Sequence, residues 1–361
     1  MVASAVELPG AVAPAAVDAD WLTAVLHSCG VLGRGVRVEQ ASGEAIGHGL
    51  LCESVRFHLT YSESTAAPAT VVGKFSAQHP RLRAGAIAEE VYQREFAFYA
   101  ELSTGLAVPT PRCLALVGDP EVEFVLVLED LAPTEPVDQV EGCSLKQAEA
   151  VIDAAVGLHA PRWGAVENAE WSVRDRWLPR IAEAYLKSFE AFVRELGPTA
   201  EEADIGERLA PVLGQWFAGQ PRPWTVTHGD FRLDNMLFGI RGGREPVGIL
   251  DWQTLLPSSG TADIAYFIGS SFEPDVRRTH EERLLRRYHA GLVAAGVGDY
   301  PYEQCLRDYR YNCFLGYMMP TYSAALVKRT ERGDAMFSTW VRRVSAQIHD
   351  LDCLALLPRG I

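Results

Sequence analysis

The sequence predicts an α+β fold of two lobes, a small antiparallel β-sheet lobe followed by a large, mainly helical lobe. Three observations lead to this prediction. Residues 36–75 and 124–131 carry the short alternating or continuous apolar runs that are typical of strands. Apolar residues recur with a helical period over most of the chain after residue 144. Among those helices, residues 224–251 return to a strand-like pattern.

The composition is that of an ordinary globular protein of 361 residues, of which 48% are apolar. The net charge of −14 disfavours nucleic acid or an anionic membrane as the main partner. The seven cysteines form no C-x-x-C pair, which favours reduced thiols in a cytoplasmic protein. We find neither a signal peptide nor an apolar stretch long enough for membrane insertion. No pattern in the sequence indicates an oligomeric state.

The first lobe is predicted to follow an N-terminal extension. Residues 1–34 hold an Ala/Pro-rich segment and a short helix that Asp18 or Asp20 caps. Residues 35–131 are predicted to form a sheet with one helix over 86–102, where an apolar stripe has a helical period. The last strand of this lobe ends in a proline-punctuated connector, which is the candidate lobe boundary.

Residues 132–361 are predicted to form the helical lobe. Ser144 and Gln147 make a capping box that opens a helix, and Pro161 ends that helix. Further helices are predicted over 177–195, 201–218, 262–271, 279–295, 302–330 and 334–355.

The segment 227–237, reading THGDFRLDNML, carries the strongest functional signal. It holds His228, Asp230 and Asn235 in the spacing H-x-D-x-x-x-x-N, with apolar runs on both sides. A third apolar run, VGILD, delivers Asp251 at its end. Phosphoryl transfer from ATP needs a carboxylate near the attacking hydroxyl and two oxygen ligands for Mg²⁺. The pattern supplies all three and predicts a kinase.

Each residue of this motif has a predicted role. Asp230 is the catalytic carboxylate, which accepts or orients the proton of the acceptor hydroxyl. Asn235 and Asp251 are hard oxygen ligands suited to Mg²⁺. His228 braces the loop by hydrogen bonding, and Arg232 neutralises charge on the transferred phosphoryl group. Taken singly, such residues are more often turn formers or solvated loop charges; the joint pattern favours function.

Lys74 and Glu95 are both misplaced charges. Lys74 lies inside an apolar strand, where an unpaired ammonium is costly, and Glu95 interrupts the apolar stripe of the following helix. We predict that they form an ion pair directed at the phosphates of ATP. The alternative is that Lys74 extends to solvent at a sheet edge while Glu95 pairs with Arg94 or another arginine.

Two further segments are candidates for nucleotide contacts. Gly47 and Gly49 can form a flexible hairpin over the phosphates, although G-x-G alone is a weak signal and no Walker A motif exists. Glu129, Asp130 and Leu131, at the end of the buried strand, are positioned to present backbone groups to adenine.

Two polar residues of the second lobe have ordinary structural explanations. His159 shares a helix face with apolar residues, which favours a buried, hydrogen-bonded histidine over a role in a site. Asp263 is expected to cap its own helix.

With these residues in place, the chain resembles the aminoglycoside phosphotransferase and choline kinase superfamily. Within it, the likeness is to the ecdysteroid-kinase-like branch, together with kinases associated with acyl-CoA dehydrogenases. The resemblance spans residues 35–330. It rests on HGDFRLDNMLF, GILDWQ, PSSGTADIAYFIG, the E-x-x-F-Y pattern that begins at Glu95, and GLHAPRW at 157–163.

The resemblance implies a bilobal protein-kinase-like fold, ATP and Mg²⁺ as cofactors, and transfer of the γ-phosphoryl group to a hydroxyl on a small molecule. By residue-by-residue match it implies that Asp230 is the catalytic base and that Asn235 and Asp251 are metal ligands. It also implies that Lys74 is the phosphate-binding lysine, with Glu95 as its partner.

The chain departs from the family pattern at two points. Cys52 stands where the third glycine of a full G-x-G-x-x-G loop is expected. Asp251 is followed by Trp-Gln rather than Phe-Gly, and no A-P-E segment occurs, which disfavours a protein substrate.

The acceptor is the least determined part of the prediction. The late segment YRYNCFLGYMMPTYSAAL is aromatic and apolar, which suits a hydrophobic hydroxylated acceptor of lipid-like, steroid-like or acyl-thioester type. The alternative for this stripe is helix-packing core. Two other functions stay open: an aminoglycoside or macrolide antibiotic kinase, and a non-catalytic nucleotide-binding scaffold. The metal pair argues against the scaffold, which needs none.

Overall fold

The computed structural model describes residues 8–33, 35–47, 51–324 and 329–358 of the chain. These residues form two compact units. The first contains the described residues up to Leu102 together with Thr110–Ala132, and the second contains Ser103–Pro109 together with the described residues from Pro133 onward. A five-stranded antiparallel sheet dominates the first unit and helices dominate the second, so the predicted α+β class is confirmed.

The first unit is built on one sheet with the strand order β1-β2-β3-β5-β4, antiparallel throughout. Its elements are α1 (Ala19–Ser28), β1 (Val38–Ile46), β2 (Cys52–Tyr61), β3 (Thr70–Ser76), α2 (Pro80–Ala88), α3 (Val91–Ala97), β4 (Cys113–Asp119) and β5 (Glu123–Glu129).

Helix α1 forms and packs as its sequence predicts. The Asp18 side chain accepts a hydrogen bond from the Trp21 amide at 2.8 Å and so caps the helix. Leu22, Val25 and Leu26 then lie in one apolar cluster with buried residues of the sheet. Burial of this kind stabilises a fold by about 25 cal/mol for each Å² of apolar surface removed from water.

The single helix predicted over 86–102 is wrong in its form. Helix α2 ends at Ala88, Glu90 adopts a left-handed conformation with φ 55°, and α3 begins at Val91. Residues Phe98–Leu102 continue as a π-helix. The apolar period survives these breaks because it records only which residues face the core, whereas the breaks depend on backbone angles.

Strand β4 was not predicted from the sequence. Its register places Val117 opposite Val125, and only alternate residues of the strand are buried. A run of four apolar residues between Cys113 and Gly118 does not by itself distinguish a strand from a buried helical segment. It is ordered by pairing with β5, whose residues from Phe124 to Leu128 are all buried.

The second unit contains the remaining helices and two small hairpins. Its elements are α4 (Leu145–His159), α5 (Arg174–Leu196), α6 (Ala200–Leu209), α7 (Leu213–Ala218), β6 (Thr225–Thr227), β7 (Met236–Gly239), the single turn α8 (Ile240–Gly243), β8 (Glu245–Ile249), β9 (Leu256–Ser258), α9 (Thr261–Ser271), α10 (Pro274–Ala294), α11 (Tyr302–Ser323) and α12 (Glu331–Asp350).

The predicted helices of this unit are confirmed, except that one of them is divided into two. The capping box of Ser144 and Gln147 opens α4. The helix predicted over 201–218 is divided into α6 and α7 by a 3-10 turn at Ala210–Val212, because Pro211 lacks an amide hydrogen. The predicted helix 302–330 corresponds to α11, and its residues 325–328 lie outside the described residues.

The two hairpins bring the functional motif together. β6 pairs antiparallel with β9, and β7 pairs antiparallel with β8. In the second pair Met236 lies opposite Ile249, so the residues just before β7 face those just after β8. This register is the local reason why two distant parts of the sequence meet.

Two general properties of the chain follow from the coordinates. In the part of the chain that the structure describes, every helix is too short or too polar to cross a bilayer. Each of the seven cysteines is a free thiol.

A pair of helical glycines gives opposite predictions for one substitution. A Cβ on Gly157 of α4 would lie 2.4 Å from the Ala107 carbonyl oxygen, whereas a Cβ on exposed Gly85 of α2 would meet nothing within 4 Å. We expect Gly157→Ala to lower the free energy of unfolding by about 1–3 kcal/mol. Gly85→Ala should raise it by about 0.5–1 kcal/mol. Urea denaturation followed by circular dichroism measures both, and equal shifts would contradict the assigned close approach.

Candidate active site

The loop between β6 and β7 is held by His228, whose side chain is fully buried. Its Nε2 lies 2.8 Å from the Leu250 carbonyl oxygen and therefore carries the proton, while Nδ1 accepts from the Asp230 amide at 3.2 Å. The ring also packs against Trp252, with 4.9 Å between centroids. His228 thus connects both sides of the loop to the residue that precedes Asp251.

The Asp230 carboxylate is surrounded by donors. Oδ1 accepts from the Tyr266 hydroxyl at 2.5 Å, and Oδ2 accepts from Asn235 Nδ2 at 2.8 Å. Arg232 Nε lies 3.2 Å from both oxygens. Burial raises the pKa of this carboxyl, but its polar neighbours, Arg232 first among them, outweigh burial and bring the pKa below its ordinary value. The group therefore stays ionised and is better suited to orient a hydroxyl than to remove its proton early.

Arg232 is engaged by carboxylates of its own loop. Besides Asp230, its guanidinium pairs with Asp234 at 2.6 Å. Burial lowers the pKa of Arg232, and the charge of Asp230 outweighs this and raises it, so the guanidinium stays charged. The arginine also lies over the Trp340 ring, 5.7 Å from its centroid. Its predicted contact with a phosphoryl group stays a prediction.

Asn235 and Asp251 meet at the open end of the β7–β8 hairpin. The Leu250 amide donates to the Asn235 carbonyl oxygen at 2.9 Å, which brings the next residue, Asp251, beside Asn235. Asp251 itself adopts a left-handed conformation with φ 67°. Such backbone is uncommon for a residue other than glycine and clusters at functional sites.

The donor set at this hairpin end fits Mg²⁺. Asn235 Nδ2 donates to both the carbonyl oxygen and Oδ2 of Asp230, which leaves Oδ1 as the Asn235 atom suited to a cation. Asp251 adds a carboxylate. Mg²⁺ is commonly held by one or two such protein oxygens together with substrate phosphates. Within the described ranges, no group of three or more His, Cys, Asp or Glu side chains could hold a metal ion.

Asp263 does not cap its own helix, and that expectation is wrong. Its carboxylate is fully buried and accepts from the backbone amides of His228 at 2.7 Å and Gly229 at 3.0 Å. Gly229 has φ 81°, and a Cβ there would lie 2.4 Å from the Thr254 carbonyl oxygen, so only glycine fits. Asp263 therefore fixes the backbone just before Asp230.

His159 completes this anchor. Its side chain is buried, and Nε2 lies 3.2 Å from Asp263 Oδ2 while Nδ1 lies 2.8 Å from the Tyr288 hydroxyl. A carboxylate can only accept, so Nε2 carries the proton. The sequence favoured a buried, hydrogen-bonded histidine, which is what these contacts describe, and through Asp263 it also supports the loop.

In the first unit, Lys74 and Glu95 are paired. Lys74 Nζ lies 2.7 Å from both carboxylate oxygens of Glu95, whose side chain is 1% exposed. Lys74 lies opposite Leu126 in the sheet, so strand and helix each contribute one charge. Pairing offsets the cost of burying either ion alone. A role toward nucleotide phosphates stays a prediction.

The other predicted nucleotide contacts differ in what the structure describes. Gly47 ends the described part of its turn, exposed and with φ 72°, whereas Gly49 lies outside the described residues. The Glu129 amide donates to the Arg112 carbonyl oxygen at 2.9 Å.

The side chains beside Glu129 are also engaged. The Asp130 carboxylate pairs with Arg56 at 2.7 Å, and Leu131 is buried. Burial raises the pKa of Asp130, but its hydrogen bonds, that of Arg56 foremost, lower it below its ordinary value.

Sequence reasoning missed side chains that hydrogen-bond to the loop. Besides Asp263 these include Tyr266, on the same helix, and Thr254, whose hydroxyl donates to the His228 carbonyl oxygen at 2.8 Å. One signal was readable for Asp263: all other residues of TADIAYF are apolar or small, which marks a buried carboxylate. The contacts of Tyr266 and Thr254 had no such signal.

Comparison with protein families gives one match. The family described as "Phosphotransferase enzyme family" matches residues 66–301, which is more than half of the chain. Among curated proteins, Acyl-CoA dehydrogenase family member 10 of Mus musculus is 27% identical over 194 residues. That match covers 50% of this chain but 17% of the mouse protein, so the chain corresponds to a small part of that relative.

Solved structures share the fold. A putative aminoglycoside phosphotransferase from Ralstonia eutropha JMP134 superposes with a TM-score of 0.52 at 18% identity, covering 89% of this chain and 96% of that one. A choline kinase from Cryptosporidium parvum Iowa II superposes with a TM-score of 0.56 at 12% identity, covering 88% and 92%. At such identities the likeness shows the fold.

The Asp263 anchor predicts a large effect on stability. Asp263→Ala leaves two backbone amides and His159 without their buried acceptor, and each unsatisfied donor costs about 1–3 kcal/mol. We expect the free energy of unfolding to fall by at least about 3 kcal/mol. Asp299→Ala, at an exposed position of the same unit, is the control and should change it by less than about 0.5 kcal/mol. Similar denaturation midpoints for the two variants would count against the anchor.

Proposed function

The chain belongs to the phosphotransferase enzyme family, and from that premise we propose that it transfers the γ-phosphoryl group of ATP, with Mg²⁺, to a hydroxyl group of a small hydrophobic molecule. The ecdysteroid-kinase-like branch and a cytoplasmic location are part of the same proposal and rest on the sequence.

Two contacts support the proposal: the Leu250 amide bonds to the Asn235 carbonyl oxygen, one residue before Asp251, and the Asn235 side chain bonds to the Asp230 carboxylate. Reaction by in-line phosphoryl transfer needs an oriented hydroxyl next to a charge-neutralised phosphate. A carboxylate for the hydroxyl and two oxygen ligands for the cation are the protein groups that this chemistry requires.

Each residue has a defined task in this proposal. Asp230 accepts the hydrogen bond of the acceptor hydroxyl and points its oxygen at phosphorus; it takes the proton as the new O–P bond forms and ADP leaves. Asn235 and Asp251 would hold the cation, which would supply charge neutralisation for the phosphates. Arg232 keeps the Asp230 carboxylate ionised.

The first unit contributes the nucleotide contacts of the proposal. The Lys74 ammonium, oriented by Glu95, serves the phosphates, because a paired lysine keeps its position. The turn at Gly47 serves the phosphates, and the backbone at 129–131, apart from the Glu129 amide that bonds to Arg112, serves the adenine ring.

A cavity beside the loop supports a hydrophobic acceptor. It has a volume of about 40 Å³ and reaches Gly229, the residue before Asp230. Leu315, Met318 and Met319 of α11 line it together with aromatic and aliphatic side chains of α5 and α7. Most of the apolar stripe of α11 belongs to the helix-packing core, which was the alternative interpretation of this segment. Phe314 and Tyr317, for example, are fully buried. The part that lines the cavity presents apolar side chains, and a volume of about 40 Å³ suits a small apolar substituent of the acceptor.

The charge of this cavity disfavours a polycationic antibiotic as the acceptor. Among its described lining residues none is acidic, and one, Arg174, is cationic. Burial lowers the pKa of Arg174 to about 10, so the guanidinium stays charged at neutral pH. A polycation entering this cavity would face a like charge and no carboxylate.

Two substitutions separate catalysis from metal binding. We expect Asp230→Ala to lower kcat by about 10²- to 10⁴-fold with little change in the Kd of Mg-ATP, because its task is at the acceptor. Asp251→Ala should raise the Kd of Mg-ATP at least about tenfold, since a cation ligand is lost. ADP-release kinetics and nucleotide titration measure the two effects. Equal turnover by the Asp230 variant, or unchanged Mg-ATP affinity in the Asp251 variant, would remove the residue from its role.

A panel of acceptors tests the substrate class. We expect kcat/KM from ADP release to be at least about tenfold higher for hexan-1-ol and sterol alcohols than for kanamycin. Met319→Glu places a carboxylate at the cavity and should lower turnover of the alcohols. Leu306→Glu, on an exposed position of the same helix, should leave it unchanged. Preferential turnover of kanamycin would instead support the antibiotic kinase.

A further inference from the structure

Helix α9 contacts the candidate catalytic loop at two points on one face. Asp263 holds the loop backbone, and Tyr266, three residues further along the same helix, donates its hydroxyl to Asp230 Oδ1 at 2.5 Å. Residues spaced by three lie on the same helix face. One rigid element therefore fixes both the backbone of the loop and its central carboxylate.

The position of the Tyr266 hydroxyl is itself fixed by packing. The residue is fully buried, and its ring stacks on Trp340 of α12 with 5.0 Å between centroids and 17° between planes. Trp340 in turn stacks on Phe337 of the same helix. A ring held between two helices has little freedom to move its hydroxyl, so the hydroxyl is a fixed donor.

The contact is a strong one for its type. A hydroxyl that donates to a carboxylate at 2.5 Å is in the short, charge-assisted range. Burial raises the pKa of the Tyr266 phenol well above its ordinary value, and the neighbouring Asp230 carboxylate raises it further. The phenol therefore keeps its proton and acts as a donor.

The donors divide the Asp230 carboxylate between them. Tyr266 takes a lone pair of Oδ1, Asn235 takes one of Oδ2, and Arg232 Nε spans both oxygens. A carboxylate has about four acceptor positions, and the single N–H of Arg232 Nε is shared between the two oxygens, so these contacts restrict the rotation of the carboxylate while leaving a limited direction from which another hydroxyl can approach. Without the Tyr266 contact, Oδ1 keeps only the longer contact with Arg232 Nε, at 3.2 Å, and the carboxylate is held less firmly.

We propose that Tyr266 is a positioning residue for phosphoryl transfer, which holds the Asp230 carboxylate in the orientation that accepts the hydrogen bond of the acceptor hydroxyl. This inference rests on the proposed function, because it requires Asp230 to be the catalytic carboxylate. Helix α9, which carries Tyr266, and helix α12, which supports its ring, would then influence kcat although both lie outside the motif.

The test removes the hydroxyl alone. Tyr266→Phe keeps the ring and its stack on Trp340. We expect kcat for ADP release, with water and with hexan-1-ol as acceptors, to fall roughly tenfold to a hundredfold, because small misplacement of a reacting group has effects of this size. The KM for ATP should stay within about twofold, since the nucleotide contacts are untouched.

A matched control separates positioning from stability. Tyr309 is also fully buried, and its hydroxyl donates to the Glu281 carboxylate at 2.8 Å, away from the loop. Tyr309→Phe removes a bond of the same kind together with the bond that the Tyr309 hydroxyl accepts from Gln347, so it should lower the thermal midpoint at least as much as Tyr266→Phe while leaving kcat unchanged. Equal losses of kcat in the Tyr309 and Tyr266 variants would overturn the proposal.

A double variant shows whether Tyr266 acts through Asp230. Added to Asp230→Asn, Tyr266→Phe should cause no further loss of kcat, because the group it positions is already altered. Equal fold-losses on both backgrounds, or a wild-type kcat for Tyr266→Phe, would overturn the inference alone. A wild-type chain that releases no ADP, or an Asp230→Asn variant with full activity, would overturn the proposed function instead.

Discussion

A single buried carboxylate organises the candidate site. The Asp263 carboxylate accepts hydrogen bonds from the backbone amides of His228 and Gly229 and from the ring N–H of His159. Three donors therefore share one buried acceptor group. Buried amides without partners are costly, so a loop that directs its amides inward needs such an acceptor. With those amides satisfied, Gly229 can hold its left-handed backbone, and Asp230 follows at a fixed point.

From this anchor the site extends through contacts between short elements. His228 reaches the Leu250 carbonyl oxygen, and Leu250 pairs with Asn235, so Asp251 is placed by the same hairpin that places Asn235. None of these elements exceeds five residues. Their precision comes from hydrogen bonds and from the helices that bury them, because two-stranded hairpins have little stability of their own.

Much of this was readable from the chain, and the errors have physical causes. The strands other than β4 and β9, the capping box and the spacing of Asp230, Asn235 and Asp251 followed from periodicity and from residue chemistry. The prediction of one continuous helix over 86–102 was wrong because the left-handed backbone at Glu90 does not change the spacing of apolar residues. The expectation that Asp263 caps its own helix was wrong because a carboxylate at this helix position can either cap the helix or accept amides from another segment. Only the identity of the nearby amides distinguishes the two roles.

By itself, the sequence determined which groups are present and in what local order: a phosphotransferase motif, two misplaced charges, and an α+β succession of elements. These are local properties, since period, caps and turns act over a few residues. Only the tertiary structure decided which distant side chains meet, such as Tyr266 with Asp230 and Trp340 beneath Tyr266. These long-range contacts depend on how whole helices pack. Helix packing is determined by the shape of the entire core, which the local sequence around each contacting residue does not specify.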